Sequence, residues 1–404
     1  MHSHPMNEAR HQLESLLRET PAKARVRQQG AFDEVARGSR RIVILGAGRL
    51  GRRLLQGLQG TDIEVLAFAD NNSETWGKAV DGIPVLSPRD AAKKYSQDTT
   101  FVVAIWHPSA KPLIAALLHE MRALGCRACA FPVLFWRHST NFLPYFFWDL
   151  PEKILQHTSD ILPAFELLED DSSRNTFVDQ IRLRLHADFE IVAPDEQEQY
   201  FPGLFSLSSE ECMVDCGSYT GDTMQSFISQ TRNRFRKIVA FEADSAVLPT
   251  LRSFVSGLGA RVVLYEAAVG SRQGTVYFAG DGMGGGCVAG SGSEVPCVRL
   301  DDALASERVS LIKMDIEGAE LDALEGAQHI IRRDRPVLAI CGYHRPDHLW
   351  QVLSRLKSLV PKSALHLRSH CADGLDTVCY SVPAERQVSI ANAKSHSRAQ
   401  GSLQ

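Results

Sequence analysis

The stretch Val214-Asp215-Cys216-Gly217-Ser218-Tyr219-Thr220-Gly221-Asp222-Thr223 gathers residue types that hold a charged small molecule. Asp215 ends a short apolar run, and glycines follow before a helix-like stretch from Met224 to Ile228. That order reads strand, tight turn, helix. Gly217 removes a side chain where a ligand must lie against backbone, and Gly221 lets the helix start close to the strand. A helix N-terminus at such a turn ordinarily receives a pyrophosphate. Here an acid sits within the loop, which suits a ligand with a positively charged end. S-adenosylmethionine (SAM), with its ammonium and sulfonium, is such a ligand. The competing reading is an ordinary strand-to-helix turn of an α/β domain.

Later segments decide between the two. Lys237–Asp244 is a second apolar run ending in acids, and Glu242 lies about twenty residues past the glycine turn, where a carboxylate can hold ribose hydroxyls. Val262–Gly270 and Leu311–Glu320 follow. With VDCGSYTGDT, FEAD, EAAVG, RLDDAL, LIKMDIEGAE, LEGA and LAICGYHRPDHLW, the chain resembles the FkbM family of SAM-dependent methyltransferases over Tyr200–Pro383. The resemblance implies that Asp215, Gly217, Ser218 and Gly221 hold the methionine end of SAM, Glu242 the ribose, and Ala268 the adenine pocket. It also implies O-methylation of a hydroxyl on a sugar, glycan or secondary-metabolite-type acceptor. Ser218-Tyr219-Thr220 departs from the family's usual wording, where another acid or an asparagine is expected.

Methyl transfer is an in-line displacement at carbon. The protein must align an acceptor oxygen, exclude water and remove the acceptor's proton. Asp315 stands at a strand end, where the methyl group should point, and Glu317 and Glu320 follow on the next helix turn. Acids there also favour a helix dipole, which is the plainer role for Glu317 and Glu320. His344, in Tyr343-His344-Arg345-Pro346-Asp347-His348, is expected to accept the proton with an ionisation near 6.5 if unperturbed. Its plainer role is to order that loop, and Asp315 is the alternative base. A divalent cation on Asp315 and Glu317 lacks a clear third ligand in the sequence, so no metal is assigned.

Alternating apolar runs predict strands at 211–216, 237–242, 261–266, 310–315, 336–341, 363–368 and 376–381, the last two as a hairpin. These make a seven-stranded, mostly parallel sheet with one antiparallel strand. The glycine-rich stretch Gly280–Cys287 lacks a Gly-Lys-Ser/Thr ending, so it reads as a flexible lid or a solvated hairpin tip. Upstream, Arg41–Leu45 runs into Gly46-x-Gly48-x-x-Gly51, and a second strand ends at Asp70, the layout of a dinucleotide fold. Gly46, Gly48, Gly51 and Asp70 are therefore a candidate nucleotide or nucleotide-sugar site, set against a domain that keeps the fold for packing alone. The wording Gly82-Ile83-Pro84-Val85-Leu86 resembles nucleotide-sugar-related Rossmann-like domains.

The fold class expected is α/β: a C-terminal class I, Rossmann-like, seven-stranded methyltransferase domain and a smaller N-terminal Rossmann-like domain, joined by a helical bridge. The divisions are 1–40, an N-terminal helical arm that docks or hangs loose; 41–135, the Rossmann-like domain; 136–200, a helical and aromatic bridge; 201–383, the methyltransferase domain; and 384–404, a disordered tail. In the bridge, Phe142, Tyr145, Phe146, Phe147 and Trp148 form packing or a substrate mouth. Helices are expected over 152–168 and 174–187.

A net charge of −4 over 404 residues gives no basic field for nucleic acid or an anionic membrane. No run has the length of a membrane span, and the N-terminus shows no signal pattern, so a cytoplasmic setting is expected. Nine cysteines in this length do not make a disulfide scaffold, and Cys126-x-x-Cys129 has no second pair to complete a zinc site. Two rival functions are a SAM or nucleotide-sugar binding protein without catalysis, and an NAD-dependent sugar-modifying enzyme working through the N-terminal domain. The partner expected is a small-molecule or glycan acceptor; the sequence does not fix the oligomeric state.

Overall fold

The structure, a computed structural model, describes residues 4–108, 113–190, 194, 198–280 and 285–388. Two α/β sheets share a helical layer. The first contains Arg41–Leu45 (β1), Glu64–Ala69 (β2), Ala79–Val80 (β3), Ile83–Leu86 (β4), Thr100–Val103 (β5) and Arg127–Ala130 (β6). Its order is β3-β4-β2-β1-β5-β6, and every pairing is parallel except β3 with β4. Strand β1 reads Arg-Ile-Val-Ile-Leu and is buried at every position after its first. Such an unbroken apolar run belongs to a parallel strand covered by helices on both faces.

The second domain supplies Cys212–Cys216 (β7), Lys237–Phe241 (β8), Val262–Tyr265 (β9), Ala268–Val269 (β10), Gly274–Ala279 (β11), Cys287–Ala289 (β12), Ser293–Val298 (β13), Leu311–Met314 (β14), Val337–Cys341 (β15), Ala364–Ser369 (β16) and Thr377–Val382 (β17). Seven of them form a sheet in the order β16-β17-β15-β14-β7-β8-β9, in which only β17 runs antiparallel. All the strands expected from the alternation are present, with their ends slightly moved, and β16 and β17 form the hairpin. The order reverses between β7 and β14, and ligands of open α/β sheets bind at that switch point.

A four-stranded sheet, β10-β13-β11-β12, was not legible as strands. Strand β11 is exposed or half-buried throughout, so no buried face imposes a clear apolar pattern. The glycine-rich stretch Gly280–Cys287 follows β11, and residues 281–284 of it lie outside the described residues.

The helical layer differs from expectation in detail. The helix expected over 152–168 is two, Pro151–Gln156 and Thr158–Glu166, and Thr158 Oγ1 caps the first by donating to the Leu155 carbonyl at 2.7 Å. Helix Asp171–His186 replaces the one expected over 174–187. At the N-terminus, Pro21 does not merely interrupt a helix. Thr20 caps, and Pro21 begins, a second one, Pro21–Ala36. Helix His4–Leu17 docks, burying Leu13 and Leu17 in the same core as Phe177 and Ile181. The helix Phe131–Arg137 runs across the division expected at 135. The chain from 384 to 388 is ordered, against expectation: Arg386 Nη2 donates to the Ser206 carbonyl at 2.7 Å and to Glu211 Oε1 at 2.9 Å. Residues 389–404 lie outside the described residues.

Asp170 joins the bridge to the second sheet. Its Oδ1 accepts from the Ser173 amide at 2.7 Å, capping helix Asp171–His186. Its Oδ2 meets His366 Nδ1 at 2.5 Å and Arg368 Nη2 at 2.9 Å, both on β16. Burial alone would raise the carboxyl's pKa, but the bonds to His366 and Arg368 outweigh it and hold it well below the usual range. A depressed folded pKa means the contribution is full above the unfolded value, about 3.9, and is lost as pH falls through the acid range. Asp170→Asn is therefore expected to destabilise the fold by about 2–4 kcal/mol at pH 7. The gap from wild type should narrow towards pH 3 in thermal melts; a gap independent of pH would remove the charge from this account.

Candidate active site

The site is built on strand ends at the switch point. Asp215 on β7 stands beside Lys313 on β14 in register. Their side chains, both buried, are ion-paired at 3.1 Å. Lys313 Nζ also donates to the Gly217 carbonyl at 2.5 Å, fixing the turn after β7. Burial pushes the Lys313 ammonium down, but Asp215 and Asp315 outweigh it and hold it charged above lysine's ordinary value. Gly217 has φ +77, and a Cβ there would fall 1.9 Å from the Asp315 carbonyl oxygen. No other residue lets the loops after β7 and β14 approach this closely.

Asp215 thus lies beneath the site and does not line the cleft, contrary to its expected contact with the cofactor. Ser218 is also buried, its hydroxyl donating to the Asp215 carbonyl at 2.9 Å. Gly221 packs its Cα against Phe254. What faces the cleft from this loop is Gly217, Tyr219, Asp222 and Thr223, with Lys313 behind. Glu242 and Ala268 line the cleft. The Glu242 carboxylate accepts from three backbone amides, Tyr219 at 2.8 Å and Ala243 and Asp244 each at 2.8 Å. It therefore shapes two loops as well as facing the cavity.

On the other side, the turn after β14 carries Asp315, Glu317 and Glu320. Glu317 holds φ +53, a left-handed conformation uncommon for a residue with a side chain. Glu320 is fully buried, and its Oε1 accepts from the Ile316 amide at 3.1 Å and meets His344 Nδ1 at 2.7 Å. His348 Nδ1 stands 3.2 Å from its Oε2. His344 Nε2 points the other way, 3.2 Å from Asp315 Oδ1 and 3.7 Å from Glu317 Oε2. Tyr200 donates to Asp315 Oδ2 at 2.7 Å, and Tyr343 reaches Oδ1 at 3.5 Å.

Burial alone would lower the His344 pKa. The carboxylates of Glu320, Glu317 and Asp315 outweigh it and raise it well above 6.5. The expected neutral histidine base with an ordinary ionisation is thus replaced by an imidazolium set among three acids. Glu320, expected to serve the helix dipole, instead orients His344. Lys313 and Tyr200 are site residues that the sequence reading does not name. Lys313 has a signal, a lysine inside the otherwise apolar run Leu311–Met314; Tyr200 depends on a contact that no local spacing shows.

The cleft holds about 810 Å³, enough for a cofactor-sized ligand, and the N-terminal domain forms its far wall. Gly46, Gly48, Arg49, Asp70, Trp106, Tyr145 and Phe146 line it together with the second domain's residues. The aromatic cluster thus both packs and faces the cleft, with Phe146 and His344 rings 6.2 Å apart. Gly51 does not line the cleft. A Cβ on Gly51 would lie 2.0 Å from the Gly46 carbonyl, so packing accounts for it. Asp70 accepts from the Ala47 and Asn72 amides at 2.7 and 2.8 Å, which uses both its oxygens to shape its own loops.

A parallel seven-stranded sheet with one antiparallel strand, a glycine turn after β7 and an acid-ended β8 define a class I methyltransferase fold. Residues 215–360 match the family model of the methyltransferase FkbM domain, and residues 38–107 match the model described as C2185-like, N-terminal. The chain is a SAM-dependent methyltransferase that carries an FkbM domain. A methyltransferase FkbM from Methylobacillus flagellatus KT shares its fold: TM-score 0.75 at 24% identity, over 93% of this chain and 99% of that one. An rRNA methylase from Streptococcus thermophilus aligns over 45% of this chain and 90% of its own, at 16% identity and TM-score 0.30. A UDP-D-quinovosamine 4-dehydrogenase from Vibrio fischeri aligns over 23% of this chain and 78% of its own, at 24% identity and TM-score 0.20. No curated protein matches the chain. Among the described residues, no helix is long and apolar enough to cross a membrane.

Removing Lys313 leaves Asp215 buried without its partner. Lys313→Met is expected to cost about 3–5 kcal/mol in urea unfolding, and adding Asp215→Leu should recover much of it. Equal losses in the single and double variants would show that the pair does not set the strand ends.

Proposed function

We propose that the chain methylates a hydroxyl group of a sugar, glycan or similar polyhydroxylated small molecule, within the cytoplasm. The observation that carries it is the pairing, across one cleft, of a cofactor side at Glu242 and Ala268 with an acid-lined side at Asp315 and Glu317. Carboxylates and flanking aromatic rings suit a hydroxyl-rich ligand, which offers donors and apolar ring faces.

Bound SAM supplies an activated methyl group whose carbon accepts the acceptor oxygen as the bond to sulfur breaks. The methionine end would lie against the loop of Gly217 and Tyr219, which Lys313 holds from behind through Asp215 and the Gly217 carbonyl. The Gly217 turn lets the cofactor lie against backbone, Glu242 would accept the ribose hydroxyls, and Ala268 would border the adenine. His344, charged, holds Asp315 and Glu317 in place, and those two carboxylates guide the acceptor's proton away. Phe146 and Tyr145 line the cleft on the side of the N-terminal domain. The N-terminal domain would present the acceptor. Gly48 and Arg49 line its part of the wall, where a phosphate or nucleotide portion of the acceptor would rest, and Asp70 shapes that loop without clamping a ribose.

Glu242→Ala in the full chain is expected to weaken binding of S-adenosylhomocysteine at least tenfold by calorimetry. It should also lower the melting temperature, since three amides lose their acceptor. Unchanged affinity would place the ribose elsewhere. Transfer of a labelled methyl group from SAM to free or nucleotide-linked sugars by the wild type tests the acceptor. Labelling of protein or RNA with none of sugars would overturn that part.

A further inference from the structure

Three ligand-type atoms from Asp315, Glu317 and His344 lie within 4.8 Å of one another at the edge of the cleft. His344 Nε2 is 3.2 Å from Asp315 Oδ1 and 3.7 Å from Glu317 Oε2. An octahedral cation with bonds of about 2.1 Å sets neighbouring ligands about 3 Å apart and opposite ones about 4.2 Å apart. Both observed separations fall between those values, so sub-ångström shifts close the site. His344 is buried, and its Nε2 makes no hydrogen bond despite two nearby carboxylates. Its other nitrogen is committed to Glu320 at 2.7 Å. That carboxylate–imidazole arrangement fixes the ring, and a cation that displaces the Nε2 proton to solvent takes up the lone pair it leaves. Tyr200 similarly orients Asp315 through Oδ2, leaving Oδ1 towards the same point.

We propose that Asp315, Glu317 and His344 form a site for one divalent cation of the Mn²⁺ type, with open coordination positions facing the cleft. Two carboxylates and one imidazole make a mixed oxygen and nitrogen set, which Mn²⁺ accepts. The role of the ion rests on the methyl-transfer reading; its binding does not. The ion ligates the acceptor's hydroxyl oxygen and lowers that hydroxyl's pKa. The proton passes to the second oxygen of Glu317 and then to solvent. The acceptor oxygen forms its bond to the methyl carbon, and the carbon–sulfur bond breaks with its electron pair left on sulfur. Vicinal hydroxyls would chelate the ion better than an isolated one, which gives a preference for diols.

The full chain, treated with EDTA and desalted, is titrated with Mn²⁺ while the free ion is followed by electron paramagnetic resonance. One equivalent is expected to bind, and Glu317→Gln should weaken it at least tenfold. Glu320→Gln, a change of a positioning residue, should weaken it less. S-adenosylhomocysteine binding by calorimetry runs alongside and should be unchanged in Glu317→Gln, which also reports that the variant is folded. Wild type that binds the nucleoside but no stoichiometric Mn²⁺ would overturn the proposal, as would equal Mn²⁺ affinity in wild type and a folded Glu317→Gln. Mn²⁺ bound without the nucleoside would leave the cation site standing and overturn the cofactor reading instead.

Discussion

Lys313 and Asp215 face each other on neighbouring strands, out of water, and the site's geometry follows from that pair. Two buried charges of opposite sign must stay together, because either alone would carry its full desolvation cost. The lysine cannot move away from Asp215, so it also holds the Gly217 carbonyl. That places the turn after β7 against the Asp315 carbonyl, at a spacing that only a glycine tolerates. The loop that would hold the cofactor and the loop that carries the acids are thus positioned by one contact between strand ends.

The second constraint is the burial of Glu320. It gathers the Ile316 amide, His344 and His348 around one carboxylate, and so ties the turn after β14 to the loop after β15. A carboxylate placed there stays ionised: burial pushes its pKa up, and the contacts with His344 and His348 bring it well below the ordinary value. The cost is borne by a turn with Glu317 at positive φ, an arrangement that strain arguments associate with functional loops.

Much of this was legible before any coordinates. Periodicity marks the seven strands of the second sheet and the hairpin of its last two, since buried parallel strands and a final hairpin leave strong patterns. Glu242 and Asp315, read at strand ends, and Glu317, read on the helix turn that follows, all line the cleft. What failed depended on direction. Asp215 sits on the strand, one residue before its end, and its buried side chain pairs with Lys313 and does not line the cleft. His344 was read by its ordinary acidity, which holds only without three acids around it. The four-stranded sheet has too little buried face to write a pattern, and Tyr200 reaches Asp315 across 115 residues of chain.

Trp106 and Asp373 carry a further consequence. The Trp106 indole donates to the Asp373 carbonyl at 3.0 Å, and the Asp373 carboxylate accepts from the Leu113 and Ile114 amides, at the start of an N-terminal-domain helix, at 3.2 and 3.3 Å. Gly374 beside it fits between Leu183 and Phe147 with no room for a methyl group. The tip of the β16–β17 hairpin is therefore the cap of a helix belonging to the other domain and the floor of the aromatic cluster. The two domains are not beads on a string. A cut near residue 200 would bare the hairpin tip and strip Asp170 from β16, so this catalytic half cannot be exchanged as a cassette among chains. Whatever N-terminal partner it has acquired, the two must change together, residue against residue, along that seam.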